Sequence, residues 1–111
     1  MSKMSRDKGK RGELEVAAII RSHGFEARRG QQHRGGGDSP DVIHSISNLH
    51  VEVKFREQLN VHAALERAAE EALLIHVPVV FHRRKRTGWV VSIDADDFLC
   101  IMRRLTDASP E

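Results

Sequence analysis

The segment Val51-Glu52-Val53-Lys54-Phe55 constrains this chain more than any other stretch. Lying in an apolar run, it reads as a central strand, and a strand turns successive side chains to opposite faces. Val51, Val53 and Phe55 therefore look one way, and Glu52 and Lys54 look the other. A carboxylate and an ammonium on one face of a central strand are costly unless that face is a site. Residues 41–46 read as a second strand, with Ser47-Asn48 as a two-residue turn joining Ile46 to Leu49. In the hairpin so formed Asp41 lies opposite Lys54 and Ile43 opposite Glu52. Asp41, Glu52 and Lys54 then share a face.

Two carboxylates and a lysine at the end of a hairpin suit a hard divalent cation. Mg²⁺ takes oxygen ligands, is held by one or two carboxylates and keeps waters for chemistry, and Mn²⁺ accepts similar donors. Asp41, Glu52 and the backbone carbonyl of Val53 offer such oxygens. Lys54 is placed to orient or deprotonate an attacking water, or to offset charge building on a phosphate. Upstream, helical periodicity puts Glu13, Val16, Ala17, Ile20 and Gly24 near one stripe, so Glu13 falls on the apolar side. Two readings of Glu13 stand: a residue at a helix start, favoured by the dipole and reaching water, or a third acidic member of the site.

The pairing of Pro40-Asp41 with Glu52-Val53-Lys54 resembles the PD-(D/E)XK nuclease superfamily. Gly9 four residues before Glu13, an apolar helix ending in His23-Gly24-Phe25 and a basic strand Glu26-Ala27-Arg28-Arg29 resemble archaeal-type Holliday-junction resolvases within it. Arg29-Gly30-Gln31-Gln32, Gly35-Gly36-Gly37-Asp38-Ser39-Pro40-Asp41 and Pro78-Val79-Val80-Phe81-His82-Arg83-Arg84 look like small resolvase-like nucleases of phages and prophages. The resemblance runs from about residue 8 to 105, in the family's order. It implies an α/β fold with a restriction-endonuclease-like core, αβββαβ, whose mixed central sheet is flanked by helices. It also implies Glu13, Asp41, Glu52 and Lys54 as catalytic residues, with Glu13 a further candidate metal ligand.

The coarse pattern gives a helix over 6–23, a strand over 25–29, a loop over 30–39, the hairpin over 40–56, a helix over 61–74, strands over 77–83 and 89–93, and a helix over 95–105. Asn60 and Asp94 are placed to cap the second and third helices, with Asp97 in capping-box position. Ala64, Leu65, Ala68, Ala72 and Leu73 make the apolar stripe of the second helix, and Glu66, Arg67, Glu70 and Glu71 occupy the rest. A chain of 111 residues suits a single domain with frayed ends. No apolar run approaches a membrane span, and the charged N-terminal segment lacks a signal-peptide core, so a cytoplasmic protein is expected.

The net charge is only +2, yet its distribution is lopsided. Lys3, Arg6, Lys8, Lys10 and Arg11 crowd one end, Arg28, Arg29 and Arg34 flank the glycine-rich loop, and Arg83-Arg84-Lys85-Arg86 run together. Such runs are commonly solvated turns, but three of them beside a phosphodiester site point to DNA. No Lys-Ser or Lys-Thr follows the glycines, so a nucleotide-binding loop is not expected. The seven histidines show no zinc spacing; His44 has the parity to face away from the site, and His33 and His82 either touch phosphate or are plain surface. Cys100 reads as a packing residue, and Trp89 as core rather than a base-stacking platform. Together these features predict a Mg²⁺-dependent endonuclease, a homodimer acting on branched DNA. The alternatives are a nuclease for DNA ends or flaps, and an inactive DNA-binding module on the same fold.

Overall fold

The computed structural model describes residues 3–30 and 41–108. In chain order the elements are α1 (Lys3–Ser22), β1 (Ala27–Arg29), β2 (Val42–His44), β3 (Leu49–Phe55), α2 (Val61–Glu71), β4 (Val77–Arg83), β5 (Val90–Ile93) and α3 (Ala95–Ala108). This is the αβββαββα order that the hydrophobic periodicity predicts. The glycine-rich segment 35–37, Arg34, Asp38 and the Ser39-Pro40 step lie outside the described residues.

β3 is the organising strand. It pairs in parallel with β4, Glu52 opposite Val80 and Lys54 opposite His82, and β4 pairs antiparallel with β5. The two faces of this mixed sheet are covered differently. Val16, Ala17 and Ile20 of α1 pack with Val51 and Val53 of β3, Val79 of β4, Ala27 and Val42. On the other face Ala64 and Ala68 of α2 close over Val80, with Leu59 and Leu65 at the margin. Small side chains let α2 approach the sheet closely, as their spacing predicts.

Three local devices fix these elements. Asn60 caps α2, its side-chain oxygen accepting from Ala63 N at 3.0 Å. Asp94 Oδ1 accepts from Asp96 N and Asp97 N at 3.0 and 3.1 Å and starts α3. Gly24 takes φ +91 just past α1, a conformation that an L side chain resists, and so ends that helix. The second helix ends at Glu71, short of residue 74, which leaves Leu73, Leu74 and Ile75 exposed.

The 40–56 hairpin is not what forms. β2 pairs instead with β1, Arg29 opposite Val42 and Ala27 opposite His44, and no β2–β3 ladder exists among the described residues. The turn explains this. A two-residue turn that matches strand twist in the type I′ form needs φ above zero at both central residues, and of Ser47-Asn48 only Asn48, at φ +59, has it. Asn48 O accepts from Val77 N at 2.7 Å, tying the turn to β4. β2 consequently splays from β3, and the side chain of Asp41 reaches the strand that the backbone does not, its Oδ2 accepting from Val53 N at 2.8 Å.

Gly12 marks the closest approach of α1 to the sheet. A Cβ there would stand 3.2 Å from both Phe55 Cβ and the Trp89 ring and 3.4 Å from Val53 Cγ1. The branched side chain of Gly12→Val would have to displace the Phe55–Trp89 edge-to-face pair, whose centroids are 5.9 Å apart. We expect a loss of about 1–3 kcal/mol in urea denaturation, whereas Gly9→Val, at a position with open space around it, should cost less than 1 kcal/mol or so.

Candidate active site

Acidic residues meet where β2 departs from β3. Glu52 projects from β3 on the α2 side, 4% exposed; Asp41 enters from the end of β2 at 8% and Glu13 from α1, also at 8%. Glu13 is the eleventh residue of a helix that begins at Lys3, so the helix-start reading fails: the side chain is mid-helix and core-facing. Its Oε1 accepts from Arg29 Nε at 2.6 Å. Burial pushes the Glu13 carboxyl up and Arg29 opposes this; the Asp41 carboxylate adds to the rise and Lys54 counters it. Glu13, Asp41 and Lys54 therefore lie within electrostatic reach of one another. Lys54 is half-buried on the same face of β3 as Glu52.

Glu52 carries the strongest perturbation. Burial pushes its carboxyl up to about 9, and hydrogen bonding to Glu71 and the adjacent Asp41 carboxylate act in the same direction. Its hydrogen bond with Glu71 holds the Glu71 carboxyl below its ordinary range. The proton thus belongs to Glu52, which donates it to Glu71. His50 Nε2 lies 3.1 Å from Glu52 Oε1, and burial pushes the imidazole down, which favours the neutral ring.

His50 and Glu71 escape a reading that stops at the motif, yet both leave a trace in the sequence. His50 has the same strand parity as Glu52 and Lys54, and Glu71 is i+7 from Ala64 and i+3 from Ala68, on the buried stripe of α2. The ligand atoms of His50, Glu52 and Glu71 lie within 4.8 Å of one another and could hold a metal ion. The carboxyl-rich edge formed by Glu13, Asp41 and Glu52 also fits the donor chemistry of a hard cation, which takes oxygen ligands.

The basic clusters divide into structural and solvent-facing groups. Glu15 gathers Arg11 at 2.8 Å, Arg83 at 2.8 Å and Trp89 Nε1 at 2.9 Å. Burial pushes the Glu15 carboxyl up, but these donors outweigh it and hold it below the usual range. The Arg83 guanidinium also stacks over Phe55 and Trp89, and Lys8 Nζ lies over the Phe55 ring at 4.7 Å. Trp89 is partly buried and packs against the core, in line with the packing role expected of it. His82 Nε2 meets Ser92 Oγ across β4 and β5 at 2.8 Å. Lys10, Arg28, Arg84, Lys85 and Arg86 are exposed, and Cys100 lies on the surface of α3 rather than in a packed core.

Helices on both faces of a mixed sheet and a separate β1–β2 pair give the chain a resolvase-like fold. The chain is similar to the Holliday junction resolvase Hjc of the archaeal hyperthermophile Archaeoglobus fulgidus, with 24% identity, a TM-score of 0.57, and coverage of 78% of this chain and 72% of that one. The resemblance carried by the sequence motifs is thus matched at the level of the fold. No family model matches the sequence, and no curated protein does.

Because Glu52 titrates near 9 in the folded state and near 4.5 in the unfolded one, the folded chain alone holds that proton between these values. Stability contributed by this group therefore falls as pH rises through that window. Glu52→Gln, which can still donate to Glu71, should raise the melting temperature of the metal-free protein at pH 8 by about 4 °C or more, roughly 1 kcal/mol. At pH 4 parent and variant should melt together. Circular dichroism melts in EDTA check this; a variant that melts below the parent at pH 8 contradicts it.

Proposed function

We propose that this protein is a metal-dependent endonuclease that hydrolyses DNA phosphodiester bonds, acts on four-way or similarly branched junctions, and works as a homodimer. The observation that carries the reading is that Asp41 lies within electrostatic reach of both Glu13 and Glu52, with Lys54 close to Glu13, within a resolvase-like fold. A surface meant only to bind DNA gains nothing from buried carboxylates beside phosphates.

In this reading Asp41 and Glu52, with the Val53 carbonyl and Glu13, hold Mg²⁺ or Mn²⁺. The cation supplies Lewis acidity, lowering the pKa of a water and neutralising phosphate charge. Asp41 is pre-set for its task because the Val53 N–H fixes its carboxylate against β3. Arg29 holds Glu13 in place from β1. Lys54 orients the attacking water and offsets charge growing on the phosphate oxygens. Attack adds hydroxyl to phosphorus, breaks one backbone P–O bond and leaves a proton for the departing sugar oxygen.

The exposed Lys10, Arg28, Arg84, Lys85 and Arg86 grip phosphates, while Lys8, Arg11 and Arg83 brace the face from which they project. Grip without a recognition helix reads backbone shape, which suits a branch point rather than a base sequence. A junction offers two equivalent strands and each chain one site, so paired incision calls for two-fold symmetry. Val90 and Val91 of β5 and Phe98 and Leu99 of α3 are exposed apolar residues of the kind that self-association would cover.

On a Mg²⁺-supplied four-way junction, Asp41→Asn and Glu52→Gln should each lower the cleavage rate by about 10²-fold or more while binding the junction at least as tightly as the parent. Lys54→Ala should lose cleavage to a similar degree yet keep metal binding. Sedimentation equilibrium should return a dimer. Cleavage by either carboxylate variant at the parental rate, or a monomer at working concentration, would overturn the corresponding part of the reading.

A further inference from the structure

His50, Glu52 and Glu71 form a second donor set that shares Glu52 with the all-oxygen edge at Asp41, and we propose that it binds a borderline first-row cation of the Zn²⁺ and Co²⁺ class, with Glu52 offering one carboxylate oxygen to this position and the other to the Asp41 edge. The geometry comes from two elements. His50 and Glu52 stand two residues apart on β3, hence on the same face, and Glu71 closes over them from the last turn of α2. His50 Nε2 and Glu52 Oε1 are 3.1 Å apart, and all three ligand atoms fall within 4.8 Å. Donors around a first-row cation at 2.0–2.2 Å stand about 3–3.6 Å from one another. Small side-chain closure is enough.

The charge pattern favours a cation. Two carboxyls meet against the sheet, yet among the described residues no Lys or Arg pairs with Glu52, and the group beside it is the His50 imidazole. Arg67 approaches Glu71 Oε1 at 3.4 Å from a largely exposed position, and the hydrogen bond from Glu52 is the contact that a cation would replace. An imidazole among the donors changes the selectivity: Mg²⁺ favours oxygen, whereas Zn²⁺ and Co²⁺ take imidazole and carboxylate together. His50 and Glu52 are buried and preorganised, and Glu71, its side chain 22% exposed, is on the solvent side, where an ion would enter. The competing account is a self-contained polar network in which His50 and Glu71 serve only to satisfy Glu52.

The two accounts separate in a titration of Co²⁺ into the EDTA-stripped full chain without DNA, followed by visible absorption. One Co²⁺ per chain should bind with visible ligand-field bands, and millimolar Mg²⁺ should not erase them. His50→Gln and Glu71→Gln should each weaken Co²⁺ binding at least tenfold, and Asp41→Asn should keep the bands. Glu71 is at a half-exposed helix end, so its variant keeps the test open if His50→Gln fails to fold. Absence of bands, bands that survive Glu71→Gln at parental affinity, or bands displaced by Mg²⁺ would overturn the proposal. Because the assay contains no DNA, its outcome is independent of whether the chain cleaves junctions.

Discussion

The Glu52 carboxyl is packed against the sheet with Asp41 on one side and Glu71 on the other, and it holds its proton to about pH 9. Neighbouring carboxyls in a poorly solvated space cannot all ionise, so one keeps a proton or a cation enters among them. Elements from every part of the fold are arranged around this constraint. β2 leaves β3 so that Asp41 can reach Val53 N, α1 turns Glu13 inward against Arg29, and α2 ends where Glu71 can meet Glu52. Like charges gathered at this cost are the pattern expected of a functional site rather than of a stability device.

The remainder of the molecule works to hold that edge rigid. Glu15 ties α1 to the β4–β5 connection through Arg83 and Trp89, and Phe55 supplies the surface on which Lys8 and Arg83 rest. Several residues of the basic clusters are thereby spent inside the protein. This leaves residues 84–86 exposed on a braced turn.

Much of this was legible in the sequence because it is written in local periodicity. The 77–83 strand appears over those same residues, the three helices appear where apolar spacing and the Asn60 and Asp94 caps put them, and the stripe that carries Glu13 is the buried stripe of α1. The partner of β2 was not legible. Hairpin geometry at Ser47-Asn48 depends on φ at both residues, and the sequence shows only that Asn tolerates the left-handed region. Asp41 still comes close to Glu52 without the ladder, since its side chain bonds Val53 N instead. His50 and Glu71 needed tertiary contact: alternation extends to His50, but only packing of α2 on Val80 brings Glu71 to the same place.

The central claim is that the Asp41–Glu52 edge is built for a cation, and calorimetric titration of Mg²⁺ at pH 7.5 tests it most directly. Run on the DNA-free protein in two buffers of different ionisation enthalpy, the titration counts bound ions and released protons together. The account predicts saturable binding with proton release approaching one per Mg²⁺, because Glu52 must give up its proton to ligate, and loss of that binding in Asp41→Asn. Saturable binding unchanged in Asp41→Asn, or no binding at millimolar Mg²⁺, would contradict it.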